Sequence, residues 1–473
     1  MASTNPARGT RDFLPADVRK REYVIGIIKK VYESYGFEPL ETPAIENLET
    51  LTGKYGEEGG QLMFKILKRG EKLVQSASFS SSERDESRTL NDLADLALRY
   101  DLTVPLARVV ANNRNKLPVL FKRYQIQPVW RADRPAKGRY REFYQCDVDA
   151  IGSESLVVEA EMLAAACKVL DRLEFRDFVV KVNHRSLLAA FLSALNIPFA
   201  NHVAILTALD KLDKGGMEVL ISDLEQLGYA TDVVDRVVSF LEEYEEQTFS
   251  SLQLQPRQWN LEKLDELSRR FGDLSVANEA IADLRNVFLY LEEMIDAVQF
   301  NVRFDLSLVR GLSYYTGCIF EIVLTNGDFK GSIGGGGRYD GLIGMFGKEQ
   351  IPACGISLGL ERILVVMDER GMFPPEIADS TPADVMITIW SEETVNESLR
   401  LADELRSQGL RVTVYPEPDK LGKQMKYADS IGVPFVCVLG ETEICENNVT
   451  LKNMRTGEQQ TCNRNKVREI IAV

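Results

Sequence analysis

Histidine is the scarcest residue in this chain. Only His184 and His202 occur among 473 residues, so a mechanism built on several imidazoles or on a histidine-rich metal site is nearly excluded. The seven cysteines (Cys146, Cys167, Cys318, Cys354, Cys437, Cys445 and Cys462) are scattered, odd in number and contain no CxxC pair. They argue against a disulfide framework or zinc knuckle and for a reducing compartment. No stretch approaches the roughly 18 uncharged apolar residues of a membrane span. The opening MASTNPARGTRDFLP lacks the apolar core of a secretory signal, and a cytoplasmic protein without a membrane partner is expected. Positive charge is also short, with 56 basic residues against 71 acidic and a net charge of −15. That total argues against a general nucleic-acid coat, but leaves room for a local basic groove.

What is present is ordinary globular material, 45% hydrophobic and 27% charged, long enough for roughly two to four domains. Residues 16–36 show apolar Val24, Ile27, Ile28 and Val31 at helical spacing, closed by Gly36. FEPLETPAI follows as a short strand whose Pro39 and Pro43 place it at an edge or interface. The Ser-rich stretch 76–88 reads as a mobile loop. VLFKRYQIQPVW and RYREFYQCDVDAI alternate on either side of the turn RADRPAKG, as an antiparallel hairpin does. Residues 154–172 read as a helix, FVVKV as a strand and HRSLLAAFLSAL as a helix. Residues 200–300 carry repeated amphipathic helical stretches and no convincing strand. Strand signals resume with VRFDLSLV, CIFEIVL, SIGGGG and CGISL. FPPEIADSTPAD is the best linker, and after it a β-α-β-α-β rhythm predicts a small, mostly parallel α/β unit.

Charge follows this division. Residues 216–300 hold 6 basic and 18 acidic side chains, whereas residues 121–145 hold 7 basic and 2 acidic. The acidity sits in a helical insertion, and one hairpin is basic. In that hairpin Arg131, Arg134, Lys137, Arg139 and Arg141 fall within eleven residues. Alternation sends Arg131, Arg139 and Arg141 to related strand faces, where guanidinium groups suit a polyphosphate. The aromatic pair Phe143 and Tyr144 adds a surface on which a base can stack. LVRGLSYYTG places Arg310 before a turn and the tyrosines Tyr314 and Tyr315 after it, an anion site beside hydroxyls. The bland alternative is core tyrosines and a surface ion pair. SIGGGGRYDG reads as a glycine run entering a helix or as a tight turn, and matches neither the dinucleotide nor the P-loop spacing. GISLGLERI runs from a strand into a helix bearing Glu361 and Arg362. ALRYDLTVPLAR sets Asp101 and Thr103 at a strand end, able to hold an ammonium group or simply to cap a helix.

Taken in order, PARGTRDFLP, GFEPLETPAIE, RYDLT, WRADRP…GRYREFYQ, LVRGLSYYTG, GGGGRYDGL and GLERI resemble the histidyl-tRNA synthetases, a family of class II aminoacyl-tRNA synthetases. The resemblance runs from about Pro6 to the end and is most specific over 308–340. It implies an α+β catalytic domain on an antiparallel sheet, with a helical insertion and a C-terminal α/β anticodon-binding domain. The expected boundaries are 1–199 and 301–372 for the catalytic domain, 200–300 for the insertion, 373–383 for the linker and 384–473 for the anticodon-binding domain. The helix and strand of residues 16–49 resemble motif 1, which implies a homodimer.

The resemblance further implies ATP with Mg²⁺, L-histidine and tRNA(His) as substrates of an AMP- and pyrophosphate-forming ligase. Arg131 looks like the motif 2 arginine on the α-phosphate, Phe143 like the ring stacking on adenine, and Arg362 like the motif 3 arginine at the far end of the triphosphate. Arg310 resembles the family's own arginine opposite Arg131. Arg139 and Asp133 complete the ATP set. Asp101, Thr103 and Gln145 look like the holders of the α-ammonium. Asp149, Tyr315 and Tyr339 look like the groups around the imidazole, which offers one donor and one acceptor, and Arg310 and Tyr314 complete the implied histidine-binding set. Three positions depart from the family pattern: Asp133 where motif 2 usually has Glu, Ser313 where Asp usually precedes the tyrosine pair, and the small Ala136 in the motif 2 loop. The main alternative is a non-catalytic synthetase-like regulatory subunit of histidine biosynthesis. That subunit would be expected to lack the C-terminal domain and to degrade the arginines. Another class II synthetase and a pure RNA-binding module are the remaining alternatives.

Overall fold

The computed structural model describes residues 4–52, 62–77, 93–209, 212–250, 256–271, 273–296, 301–310, 315–327, 329, 331–347 and 349–471. The chain divides into two compact units, Met1–Phe373 and Pro374–Val473.

In the first unit the strands are β1 (Glu38–Pro39), β2 (Ile45–Asn47), β3 (Lys65–Leu67), β4 (Ala94–Leu98), β5 (Phe121–Trp130), β6 (Glu142–Ile151), β7 (Phe178–His184), β8 (Val302–Phe304), β9 (Cys318–Leu324), β10 (Ser332–Arg338) and β11 (Ala353–Gly359). Eight of them form one sheet in the order β1-β5-β6-β11-β10-β9-β7-β8, and β2-β4-β3 form a small second sheet. The large sheet is antiparallel except at its two rims, where β1 runs parallel to β5 and β8 parallel to β7. The two-residue strand β1 ends on Pro39 at the rim, where a missing backbone donor costs no ladder bond.

The alternation of β6 creates two different faces. Cys146, Val148 and Ala150 are buried on one side. That side is covered by the helices Pro15–Ser34, Val157–Arg172 and Leu360–Glu369. The first of these helices buries Val24, Ile25, Ile28, Val31 and Tyr32, and the second buries a nearly continuous run from Val158 to Cys167. The other side of β6 presents Phe143, Gln145, Asp147 and Asp149. Cross-strand register aligns them with Val129, Gln127, Gln125 and Arg123 of β5, and aligns Gln145, Asp147 and Asp149 with Gly359, Ser357 and Gly355 of β11. The middle of this face is therefore paved with small residues, and polar side chains line its margin.

The glycine run is a strand, as its place among the strand signals implies, and neither a helix start nor a turn. It forms β10, a central strand whose Gly335 and Gly337 lie opposite Glu321 and Ile319 of β9 and opposite Ser357 and Gly355 of β11. Between β7 and β8 the described elements are all helices. The helices are Arg185–Ala194, Phe199–Leu209, Leu212–Gln226, Thr231–Ser250, Pro256–Phe271 and Ser275–Met294. Ser76 lies in the helix Glu71–Ala77, and residues 78–88 of the expected loop lie outside the described residues.

The second unit places β12 (Val385–Ile387) between the parallel strands β13 (Val412–Val414) and β14 (Phe435–Val438). The antiparallel strands β15 (Asn448–Asn453) and β16 (Gln459–Asn463), beyond the expected rhythm, extend the sheet. Its core gathers Val385, Ile387, Leu401, Leu405, Cys437 and Leu451. Among the described residues no single helix is long and apolar enough to cross a membrane.

Candidate active site

Four arginines converge on the polar face of the large sheet. The strands β5 and β6 end at Trp130 and begin at Glu142, but the Arg131 amide still bonds the Arg141 carbonyl at 2.9 Å, so this pair continues the ladder by one step while Arg139 lies in the connecting loop. Contacts around the loop set where the side chains end. Arg131 donates from Nε to the carbonyl of Tyr100 at 2.9 Å, and its guanidinium lies 5.2 Å from the Phe143 ring centroid. Arg139 pairs with Asp133 at 2.8 Å and also closes a backbone bridge with Ala136. Arg141 turns away and donates to the carbonyl of Asp133 at 3.1 Å.

Arg310 lies across the glycine strand, with Nη1 3.4 Å from the carbonyl of Gly334 and Nε 3.5 Å from Glu321. Arg362 donates to the carbonyl of Ser332, and Gly138 at the hairpin tip packs against it, a Cβ there lying 3.3 Å from Arg362 Cγ. Burial holds the Arg362 pKa below its ordinary value, and the nearby cations Arg310, Arg139 and Arg131 push the same way against Glu321. Cations held this close favour a polyanion between them.

Beside this cluster lies a buried polar pocket. Asp149 accepts from the Tyr339 hydroxyl and forms an ion pair with Arg123 at 2.8 Å. Arg123 has no exposed surface and Asp149 only 3%. Burial raises the Asp149 pKa, and Arg123 together with the Tyr339 hydrogen bond pulls it back. The negative charge of Asp101 reaches both Asp149 and Asp147, and both of these feel the Arg123 guanidinium. Asp101 Oδ1 also accepts from the Val104 amide at 3.2 Å, at the start of the helix Thr103–Asn113. The ligand-holding and helix-capping readings of Asp101 are therefore compatible in one geometry. Gln145 donates to Ser357 Oγ at 3.4 Å, while its buried Oε1 has no protein partner. Tyr315 packs on the cluster that buries Tyr339. Tyr314 and Ser313 lie outside the described residues.

Sequence reasoning missed Arg123, Asp147, Glu321 and Ser357. The alternation that picked out Gln145 and Asp149 also contains Asp147, and that of β5 contains Arg123. Glu321 emerges only once Arg310 is seen across the sheet. Among the described residues no group of three or more His, Cys, Asp or Glu is arranged to hold a metal ion.

Comparison with known proteins gives the family. The family described as histidyl-tRNA synthetase matches residues 9–79 and 76–363, and an anticodon binding domain matches residues 384–473. The chain is 41% identical to a histidine–tRNA ligase of Porphyromonas gingivalis and 40% identical to one of Cytophaga hutchinsonii, covering 97% of both chains in each comparison. It is also similar to a crystal structure of a histidyl-tRNA synthetase from Nostoc sp. PCC 7120, with TM-score 0.79, 29% identity, and coverage of 100% of this chain and 99% of that one. The chain belongs to the histidyl-tRNA synthetase family.

Proposed function

We propose that the histidine–tRNA ligase activity of this family is carried here by the four-arginine cluster and the Asp149 pocket beside it. The convergence of Arg131, Arg139, Arg310 and Arg362 on one sheet face, next to a buried carboxylate bonded to a phenol, is the observation that carries the reading. It supplies cations for a triphosphate and an acceptor for an imidazole N–H within one site. A regulator that had lost catalysis would have no use for the cations.

In the first step a carboxylate oxygen of histidine attacks the α-phosphorus of ATP. The bond from that phosphorus to the bridging oxygen breaks, and pyrophosphate leaves with the electron pair. Arg131 and Arg310 neutralise the charge that builds on the α-phosphate from opposite sides. Arg139 and Arg362 hold the distal phosphates, and Phe143 stacks on adenine beside Asp133. Positioning and charge neutralisation do the catalytic work, so the scarcity of histidine in the chain is no obstacle. Magnesium enters with ATP as part of the substrate and neutralises further phosphate charge.

Asp101, Thr103 and Gln145 hold the α-ammonium, and Asp149, Tyr315 and Tyr339 surround the imidazole. A pocket of buried polar groups rejects apolar amino acids, which would leave those groups unpaired. In the second step the terminal ribose hydroxyl of tRNA(His) attacks the acyl carbon and AMP leaves. Residues 1–199 and 301–372 form the catalytic domain, 200–300 the insertion and 384–473 the anticodon-binding domain. The rim position of β1 after the helix Pro15–Ser34 supports a homodimer through this edge, in the cytoplasm.

The test is ATP–pyrophosphate exchange across all twenty amino acids. Exchange with histidine alone is expected. Absence of exchange from purified, folded protein would favour the non-catalytic regulator.

A further inference from the structure

Residues 7–13 are seated against the β5–β6 hairpin. The amide and hydroxyl of Thr10 both return to the carbonyl of Ala7, at 2.9 and 2.7 Å, which makes a tight turn with Gly9 at φ 85°. The amide of Arg141 donates to the Gly9 carbonyl at 2.8 Å. A Cβ on Gly9 would stand 2.8 Å from the Arg141 side chain and 2.9 Å from Pro135. Only glycine allows both that φ and that close approach.

Two residues on, Arg11 joins two separate elements. Its Nη2 pairs with Glu361, which is 2% exposed. Its Nη1 bonds the Tyr140 hydroxyl at 3.1 Å, and its guanidinium lies 4.0 Å from the Tyr140 ring and 4.5 Å from Phe13. The residues it grips neighbour the arginines of the site. Arg139 precedes Tyr140, the Arg141 carbonyl accepts from the Arg131 amide at 2.9 Å, and Arg362 follows Glu361.

We propose that Arg11 is a positioning residue for adenylate formation, tying the hairpin that carries Arg131 and Arg139 to the helix that carries Arg362. Four mutually repelling cations splay apart unless something outside the cluster holds their supports. Arg11 does this without touching substrate, because its charge is taken up by Glu361 and its plane by Tyr140 and Phe13. The cluster is thereby preorganised before ATP arrives, and the binding energy of ATP need not be spent on assembling it. The inference rests on reading Arg131, Arg139 and Arg362 as the triphosphate site.

The test is ATP–pyrophosphate exchange with the full-length protein, titrating ATP and histidine separately. Arg11→Gln is expected to raise KM for ATP at least about tenfold and to leave KM for histidine within about twofold. Arg11→Lys, which keeps the charge but not the fork, is expected to recover part of the loss. Glu361→Gln should reproduce the effect, and the double variant should be no worse than the poorer single. A folded Arg11→Gln protein with unchanged KM for ATP, equal rises in both KM values, or strictly additive single effects would overturn the proposal. Should Arg11→Gln fail to fold, Arg11→Lys and Glu361→Gln carry the same reading. Arg362→Ala separates the two levels. If it leaves KM for ATP unchanged, the assignment of the triphosphate site fails. If it raises that KM while Arg11→Gln does not, only the positioning role fails.

Discussion

A Cβ on Gly335 would stand 2.8 Å from Cζ of Arg310 and overlap its Nη1. The guanidinium lies in space that any other residue at 335 would claim, and Glu321 opposite Gly335 reaches its Nε from the next strand. Glycine at 335 is thus a requirement of the arginine and of the neighbouring strand, whose Phe320 carbonyl would lie 2.8 Å from the same Cβ, rather than of a turn. Gly335→Ala should behave as Arg310→Ala does: exchange falls by about 10²-fold or more while histidine still binds. Exchange assays with calorimetric titration of histidine check this. Near-normal exchange in Gly335→Ala would remove Arg310 from its proposed place on the α-phosphate.

The Tyr339 hydroxyl holds Asp149 from one side and Arg123 holds it from the other. Tyr339→Phe deletes a hydrogen bond to a charged group, an interaction typically contributing about 1.5–3 kcal/mol. It should raise KM for histidine about ten- to a hundredfold and change KM for ATP little. Separate titrations of the two substrates measure this. A matching rise for ATP would mean that Tyr339 supports the sheet rather than the imidazole pocket.

Much of this architecture is legible in local pattern. The alternation of FKRYQIQPVW and EFYQCDVDAI specifies an antiparallel pair and places Gln145 and Asp149 on one face. The helix Pro15–Ser34 declares itself through Val24, Ile28 and Val31. Other parts resist for physical reasons. A glycine run has no side chains and hence no period, so SIGGGG reads equally as strand, turn or helix start, and pairing with β9 and β11, the strands just before and after it, makes β10 a central strand. Arg139 escapes a two-residue rule, because beyond Trp130 the Ala136–Arg139 bridge and the pairing of Arg139 with Asp133 set its direction. Arg123 looks like any solvated strand cation until cross-strand register puts it opposite Asp149.

The covered face of the sheet holds a second ion pair with a different consequence. Arg338, one residue from Tyr339, binds Glu159 through two hydrogen bonds of 2.5 and 2.8 Å, and Glu159 is fully buried. Burial lowers the Arg338 pKa, but its hydrogen bonds to Glu159 and the attraction of Glu159 and Asp340 together raise it above the ordinary value. Glu159→Leu strands a buried guanidinium and should cost about 3–5 kcal/mol, whereas Glu159→Leu with Arg338→Met should regain most of that. Urea unfolding of the three proteins measures both. A double variant as unstable as Glu159→Leu would show that the pair is needed for more than mutual compensation.

Asp147 gives the chain a pH dependence of unusual sign for a carboxyl group. It lies between Gln145 and Asp149 on the polar face and is 3% exposed. Burial pushes its pKa from 3.8 up to about 7; Arg123 and a Ser357 hydrogen bond oppose the rise, while Asp149 and Asp101 add to it. The folded chain therefore keeps this proton to higher pH than the unfolded chain does. The linked stability is fully present below about 3.8 and is lost as pH rises through about 7, the reverse of an ordinary salt-bridged carboxylate. Asp147→Asn removes the titration without changing shape. Its melting temperature should match that of the wild type below about pH 3.8 and exceed it increasingly up to about pH 7, where the difference levels off, since only the wild type must then bury a second carboxylate beside Asp149. Melting curves at half-unit pH intervals measure the difference. A difference that is constant across this range, or that shrinks toward pH 8, would show that Asp147 is ionised throughout and that Arg123 neutralises both carboxylates.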